Sequence, residues 1–300
     1  MLDPEHARHL APLLRELHAT FDHQRRRAVD PVEFAHRYRR REDIEVAALL
    51  SASLAYGRVD LFRPKLAALF EAMGPSPGDF AASFDPRRHA RVFEGFRYRF
   101  NVPADLAVLT AGAGALLRRG GSLESGFDAQ LPLQEALSGF AATLRGVPRA
   151  AIERALGPVR GLAHLVPEPL RGSTSKRLLL FMRWMVRGPD GVDFGLWRTV
   201  SPARLVIPLD THIARMSKHL GLTARRDLSW RTAVEVTDAL RLVDARDPVK
   251  FDFALCHFGM SGDCPLRPEA LHCRACLLRG ACNTGQRLTR RKLEKAPSPG

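Results

Sequence analysis

Four of the five cysteines of this chain fall in one short C-terminal stretch, at Cys264, Cys273, Cys276 and Cys282. The spacing, C-x8-C-x2-C-x5-C, constrains the fold more than any other feature of the sequence. A C-x2-C pair sets two thiols on one tight turn. The outer cysteines can then complete a set of four soft donors around a common centre, as zinc or an iron–sulfur cluster requires. Four unrelated buried thiols would be a rare coincidence in a segment so rich in Arg and Pro. A disulfide framework would spread its cysteines through a secreted fold, so metal binding in a reducing compartment is the expectation. Spacing alone does not separate iron–sulfur from zinc. Cys256, in the apolar run Phe253-Ala254-Leu255-Cys256, reads as a core residue.

Elsewhere the apolar residues recur with a helical period, and no stretch alternates as a half-buried strand does. Ile44, Ala47, Ala48, Ser51 and Leu54 follow helical spacing, with Asp43 as a start signal and Gly57 as a stop. Further helices are expected over residues 59–73, 104–119, 133–145, 150–156, 176–187, 211–220, 230–243 and 249–258, punctuated by Gly and Pro. The fold class is therefore all-α. Residues 283–300 are basic, contain Pro and Ser, and are expected to be disordered.

The net charge is +14 and the pI is near 10.5. Such an excess favours polyanionic partners, because each Lys or Arg docked on a phosphate releases condensed counterions. A basic surface arising from a preference for Arg is the plainer alternative. The chain does not open with a basic stretch followed by an apolar one, so no secretory signal is expected. Apolar runs such as 46–56 and 178–182 are too short to span a bilayer. The expectation is a soluble, cytoplasmic, nucleoid-associated monomer.

Two segments resemble the helix-hairpin-helix DNA glycosylases. Ile207-Pro208-Leu209-Asp210-Thr211-His212-Ile213-Ala214-Arg215 is similar to the V-P-V-D-T-H-V-x-R segment of that family. Phe253 to Gly259, followed by Cys264 to Cys282, resembles the C-terminal end of endonuclease III. There an apolar helix leads into C-x6-C-x2-C-x5-C around a [4Fe–4S] cluster; here the first interval is two residues longer. The resemblance makes Asp210 the catalytic carboxylate. Asp210 also precedes a helix, where an aspartate commonly caps free amides, and the two roles are compatible.

The family's hairpin, L-P-G-V-G-x-K-T-A, has its counterpart at Val166 to Lys176, where Gly172 remains and two prolines intrude. The resemblance puts Gly172, Ser173 and Thr174 against a DNA phosphate and makes Lys176 the nucleophile of a bifunctional enzyme. The 34 residues from Lys176 to Asp210 look more like the archaeal 8-oxoguanine glycosylase branch. A cation is disfavoured in the first turn of a helix, and the same field frees the lone pair that attack needs. A solvated lysine or a phosphate contact is the plainer reading of Lys176. Ile44 to Ala52 resembles the family's L-L-S-A-Q helix, with Ser53 where several members carry a gap-filling Gln. Phe96-Arg97-Tyr98-Arg99 is similar to a G-Y-R turn. The chain also resembles an uncharacterised bacterial family distantly related to these enzymes.

What the resemblance implies is a two-lobed fold. A helical barrel with an altered hairpin would span residues 41–200, and residues 1–40 with 201–282 would form a second lobe carrying the cluster loop. Double-stranded DNA with a damaged or modified base would lie between Lys176 and Asp210, the target nucleotide flipped out of the stack. The cluster, [4Fe–4S] with zinc as the alternative, would be structural and would bring Arg267, Arg274 and Arg279 to phosphate. The competing reading is a DNA-binding module without catalysis. Tyr56, Phe181, Trp184 and Trp230 are candidates for stacking on a base, with core packing the plainer fate of each.

Overall fold

The computed structural model describes residues 3–293; residues 294–300, the end of the stretch read as disordered, lie outside the described residues. In chain order the α-helices are α1 (Pro4–Thr20), α2 (His23–Arg27), α3 (Arg41–Leu54), α4 (Val59–Met73), α5 (Pro77–Ala82), α6 (Pro86–His89), α7 (Pro103–Gly120) and α8 (Leu133–Arg145). They continue with α9 (Ala150–Leu156), α10 (Leu162–Leu165), α11 (Lys176–Val186), α12 (Thr211–His219), α13 (Trp230–Arg241), α14 (Asp252–Met260), α15 (Ala270–Ala275) and α16 (Asn283–Leu293). Short 3₁₀ turns join several of them. The described residues form no strand, only an isolated bridge between Tyr98 and Asn101. The fold class is all-α. No described helix is long and apolar enough to cross a membrane.

The helices expected over 59–73, 133–145 and 150–156 coincide with α4, α8 and α9. Two expectations need correction. Asp43 does not start α3, which begins at Arg41. Its buried carboxylate instead accepts hydrogen bonds from Ser76 Oγ (2.7 Å) and Gly78 N (2.8 Å), at the start of α5. The basic tail is helical from Asn283 to Leu293. This helix packs on α15 and α12, so tertiary contact outweighs its polar composition.

The chain forms two compact units: residues 24–201 make one, and the flanking residues on both sides make the other. Residues 24–40, expected with the second lobe, belong to the middle unit. The reason is that Val32, Phe34 and Ala35 of the 3₁₀ turn Pro31–Arg37 are buried and the turn packs on α3.

In the middle unit α3 is the central element, buried from Asp43 to Leu54 and packed by α5, α7 and α11. A helix apolar around its whole circumference must be covered on all sides. Its one buried Glu45 is fully engaged: Ser122 Oγ (2.6 Å), Leu123 N (2.8 Å) and Trp197 Nε1 (2.8 Å) donate to it, and Arg41 lies at 3.3 Å. Close packing of α7 depends on two glycines. A Cβ on Gly112 would stand 2.2 Å from Leu144 O, and one on Gly114 would stand 1.8 Å from Ala81 O. Neither contact admits a side chain. In the other unit, α1 buries Leu10, Leu14 and Leu17 and packs on the 3₁₀ turn Leu277–Ala281, while α12 packs on α14 and α16.

Candidate functional site

The segment leading to Asp210 is pinned by burial of Ile207 and Leu209 and by the hydrogen bond from Ile207 N to Thr237 Oγ1 (3.0 Å). Asp210 is the N-cap of α12, and its Oδ1 accepts from the amides of His212 and Ile213, each at 2.9 Å. These are free first-turn donors that a capping carboxylate satisfies. Oδ2 faces α14, where Cys256 Sγ lies at 3.7 Å. Cys256 is therefore not the core residue expected from the sequence. The apolar run turns Phe253, Ala254 and Leu255 inward, and leaves Cys256 half-buried beside Asp210 and Met260 Sδ, the latter at 3.8 Å.

The other end of α12 reaches the cysteines. His219, its last residue, lines one pocket with Cys264, Cys273, Cys276 and Cys282, and its Nδ1 lies 3.5 Å from Cys264 Sγ. One turn earlier, Arg215 donates to Gly259 O and to Cys264 O (3.0 Å), tying the start of the cysteine segment to α12. Gly285 N donates to Cys282 Sγ at 3.3 Å. Burial pushes the Cys264 thiol up to about 11, against the pull of the Arg215 charge, and the other three thiols add to the rise. Burial likewise raises Cys273 and Cys276. Burial, then the Arg215 and Arg287 charges, lower His219, which favours its neutral form. Among the described residues no group of three or more His, Cys, Asp or Glu side chains is arranged as it would be around a metal ion. The four thiols nonetheless share one pocket, and as a donor set they suit a soft metal. Arg267, Arg274 and Arg279 are all exposed, with Arg279 on the rim of that pocket.

Lys176 lies in the middle unit. The preceding loop closes with Gly172 in the left-handed region (φ 82°), followed by Ser173, whose hydroxyl accepts from Ser175 N (3.1 Å), and Thr174. Ser175 is itself left-handed (φ 49°) and buried, a conformation disfavoured for a residue with a side chain. Lys176 opens α11 half-buried, with Nζ donating to Ala55 O at 3.4 Å. Beside it the Arg177 guanidinium donates to His164 O, meets His164 Nε2 at 3.1 Å and stands 5.2 Å over the Tyr56 ring. Burial drives Arg177 down to about 10. Burial and the Arg177 and Arg99 charges hold His164 at about 4, and burial and Tyr98 raise Tyr56 to about 12. The Tyr56 hydroxyl donates to Asn101 Oδ1 (2.6 Å) and Tyr98 O (3.0 Å).

Those two bonds brace a turn that sequence reasoning did not single out as a site. Tyr98 and Asn101 exchange backbone hydrogen bonds (3.1 and 2.9 Å), Arg99 has φ 52°, and Phe100 is 64% exposed with its ring against His164. The signal available was an aromatic set between basic residues in Arg97-Tyr98-Arg99-Phe100-Asn101. Of the proposed stacking aromatics, Phe181, Trp184 and Trp230 are core residues, and Ser53 is buried within α3. Arg215 and His219 were also missed as neighbours of the cysteines, because contacts 45 or more residues apart leave no local pattern.

The sequence model of a family described as Protein of unknown function (DUF2400) matches residues 30–261, so the chain belongs to that family. The match includes Lys176, Asp210 and Cys256 and ends before Cys264. No curated protein matches the chain.

Proposed function

We propose that this DUF2400 member is a DNA N-glycosylase that removes a damaged or modified base from duplex DNA after the nucleotide is flipped out of the stack. The observation that carries the reading is the setting of Asp210. One carboxylate oxygen is spent on capping α12, the other faces away from the cap, and the same helix ends at the cysteine pocket. That order of features is the one expected from the resemblance to the helix-hairpin-helix enzymes. The net charge of +14 and the exposed Phe100 next to Arg99 suit a surface that meets phosphates and bases.

In this reading Asp210 stabilises the positive charge that develops on the sugar as the glycosidic bond breaks, and helps deprotonate the attacking group. With Lys176 as that group, its amine displaces the base at the sugar carbon, a Schiff base forms, and β-elimination cleaves the strand. With water in its place the reaction stops at an abasic site. Gly172, Ser173 and Thr174 line the approach of a phosphate. Cys264, Cys273, Cys276 and Cys282 would hold a [4Fe–4S] cluster, or zinc on the same thiols. When bound, that group supplies a covalent cross-link for the loop bearing Arg267, Arg274 and Arg279. The enzyme would act in the cytoplasm on chromosomal DNA.

The test is a panel of single-lesion duplexes incubated with wild type and Asp210→Asn. Asn is as good a cap as Asp, so the variant should keep its melting temperature nearly unchanged. Base release should fall on the order of 10²–10³-fold, the usual cost of losing one charge-stabilising group. Borohydride should trap a protein–DNA adduct that is lost in Lys176→Gln and kept when Lys218 or Lys250 is replaced. Full activity in folded Asp210→Asn would remove the catalytic role. Binding without lesion-dependent abasic sites would return the DNA-binding module.

A further inference from the structure

The four cysteines of the pocket are not held alike. Cys273 lies in α15 and Cys276 directly follows it, so one short turn carries both. Cys282 directly precedes α16, and its sulfur accepts from Gly285 N, a first-turn amide of that helix, at 3.3 Å. Cys264 stands apart, eight residues before Cys273. None of those eight residues is buried, and Leu266 and Leu271 are 77% and 74% exposed, so apolar burial does not pin the stretch. The Cys264 sulfur is met instead by the ring of His219, with Nδ1 3.5 Å from Sγ. We propose that His219 is a positioning residue for Cys264: its Nδ1–H donates to Sγ and holds that sulfur in the pocket it shares with the other three thiols. The inference rests on the reading of these four cysteines as metal ligands and is independent of the glycosylase reaction.

His219 is the last residue of α12, and the same helix grips Cys264 from one turn earlier. Arg215 donates to Cys264 O at 3.0 Å. Residues four apart share a helix face, so the two side chains reach Cys264 together, one at its carbonyl and one at its sulfur. The first tether fixes the backbone, and the second restricts the side-chain rotation that would carry the sulfur out of the pocket. A neutral imidazole has one N–H and one bare nitrogen. With the proton on Nδ1, the ring donates to the sulfur, a bond that strengthens when the thiol gives up its proton to ligate a metal. With the proton on Nε2, the bare Nδ1 would face the lone pairs of a thiolate and push it away. The donor tautomer is therefore the one compatible with ligation. Four sulfurs already complete the donor set of a tetrahedral ion or of a cluster, so the nitrogen is not required as a ligand.

The test uses the full-length protein loaded with cadmium, a soft probe ion for thiolates, and histidine labelled for nitrogen NMR. In wild type the His219 ring should carry its proton on Nδ1 and show no direct cadmium–nitrogen coupling. Competition with a chelator should find cadmium held about ten- to a hundredfold less tightly in His219→Ala, the usual cost of losing a group that orients a ligand. His219→Asn, whose amide can donate from nearly the place of Nδ1, should recover most of that loss. The cost should also belong to Cys264: His219→Ala should add little on top of Cys264→Ala and its full amount on top of Cys276→Ala. A proton on Nε2 overturns the proposal, and that reading is made on wild type alone, whatever the variants do. Direct cadmium–nitrogen coupling overturns it by making His219 a ligand. Equal affinity in wild type and His219→Ala, or an undiminished cost on top of Cys264→Ala, overturns it as well. If wild type takes up no cadmium, the four-cysteine reading fails and takes the proposal with it; tight uptake indifferent to His219 leaves that reading standing and removes only the role of the ring.

Discussion

His164 sits between the Arg177 guanidinium, the Tyr56 ring and the exposed face of Phe100. Burial and the two nearby Arg charges hold it at about 4. In the unfolded chain it takes up a proton near pH ~6.5; in the folded chain it resists doing so. A depressed folded value means its contribution to stability is complete above about pH 6.5 and is lost as the pH falls toward about 4. Thermal melts across that window should show stability falling with acidity, and His164→Gln should flatten the slope; a slope that survives the substitution belongs to other groups. At this scale some of the chemistry was legible from sequence and some was not. Asp210 could be read as a cap because capping is local, a carboxylate immediately before a helical pattern. Cys256 was misread because an apolar run of four residues does not say which of them turns outward. His219 and Arg215 were invisible because the cysteine they meet lies far along the chain.

At the scale of elements, helices ended by Gly or Pro were legible nearly to the residue, as α4, α8 and α9 illustrate. Helix α16 was not, because its polar residues carry no propensity signal strong enough to outweigh the look of a basic tail. It forms where it does because it follows Cys282 directly and packs on α15 and α12. The segment from Cys264 to α16 has few large buried side chains, with Cys273, Leu278 and Ala281 the buried members. Such a segment relies on something other than apolar burial to hold its shape. Four thiols gathered in one pocket become stable anions beside a bound cation, and the binding free energy is then folding free energy for this segment. Protein purified anaerobically should carry iron and acid-labile sulfide in near-equal amounts. Cys276→Ser should lose them, together with hydrogen-exchange protection in α15 and α16, while protection in α7 and α11 is unchanged. Stoichiometric zinc without sulfide would replace the cluster by zinc on the same four cysteines. Loss of metal in Cys256→Ser would mean that the ligand set is wrong.

For the molecule as a whole, the all-α class was legible in the period of its apolar residues, whereas the extent of the middle unit was not. Residues 24–40 join that unit through four buried residues of a 3₁₀ turn, Pro31, Val32, Phe34 and Ala35, a pattern too short to register as periodicity. Charge is the other property that belongs to the whole chain, and it carries the last prediction. Many basic residues are already spent on acidic neighbours, as Arg40 is on Asp79, Arg41 on Glu45 and Glu124, and Arg183 on Asp193. The formal charge of +14 is what remains after every carboxylate has been counted, so a large unpaired excess survives those pairs. If that excess meets phosphates, binding to duplex DNA must release counterions, and log K should fall linearly with log salt at about −0.9 per phosphate neutralised. Some six contacts would weaken binding roughly a thousandfold between about 50 and 200 mM salt. Arg267, Arg274 and Arg279 are exposed and belong to the cysteine segment. Replacing all three with Gln should make the slope shallower by up to about 2.7, the share of three phosphates, without changing discrimination between lesion and normal duplex. A wild-type slope near zero would show that the basic excess is not a phosphate-binding surface. A steep slope untouched by the triple substitution would keep DNA as the partner and move its path away from the cysteine loop.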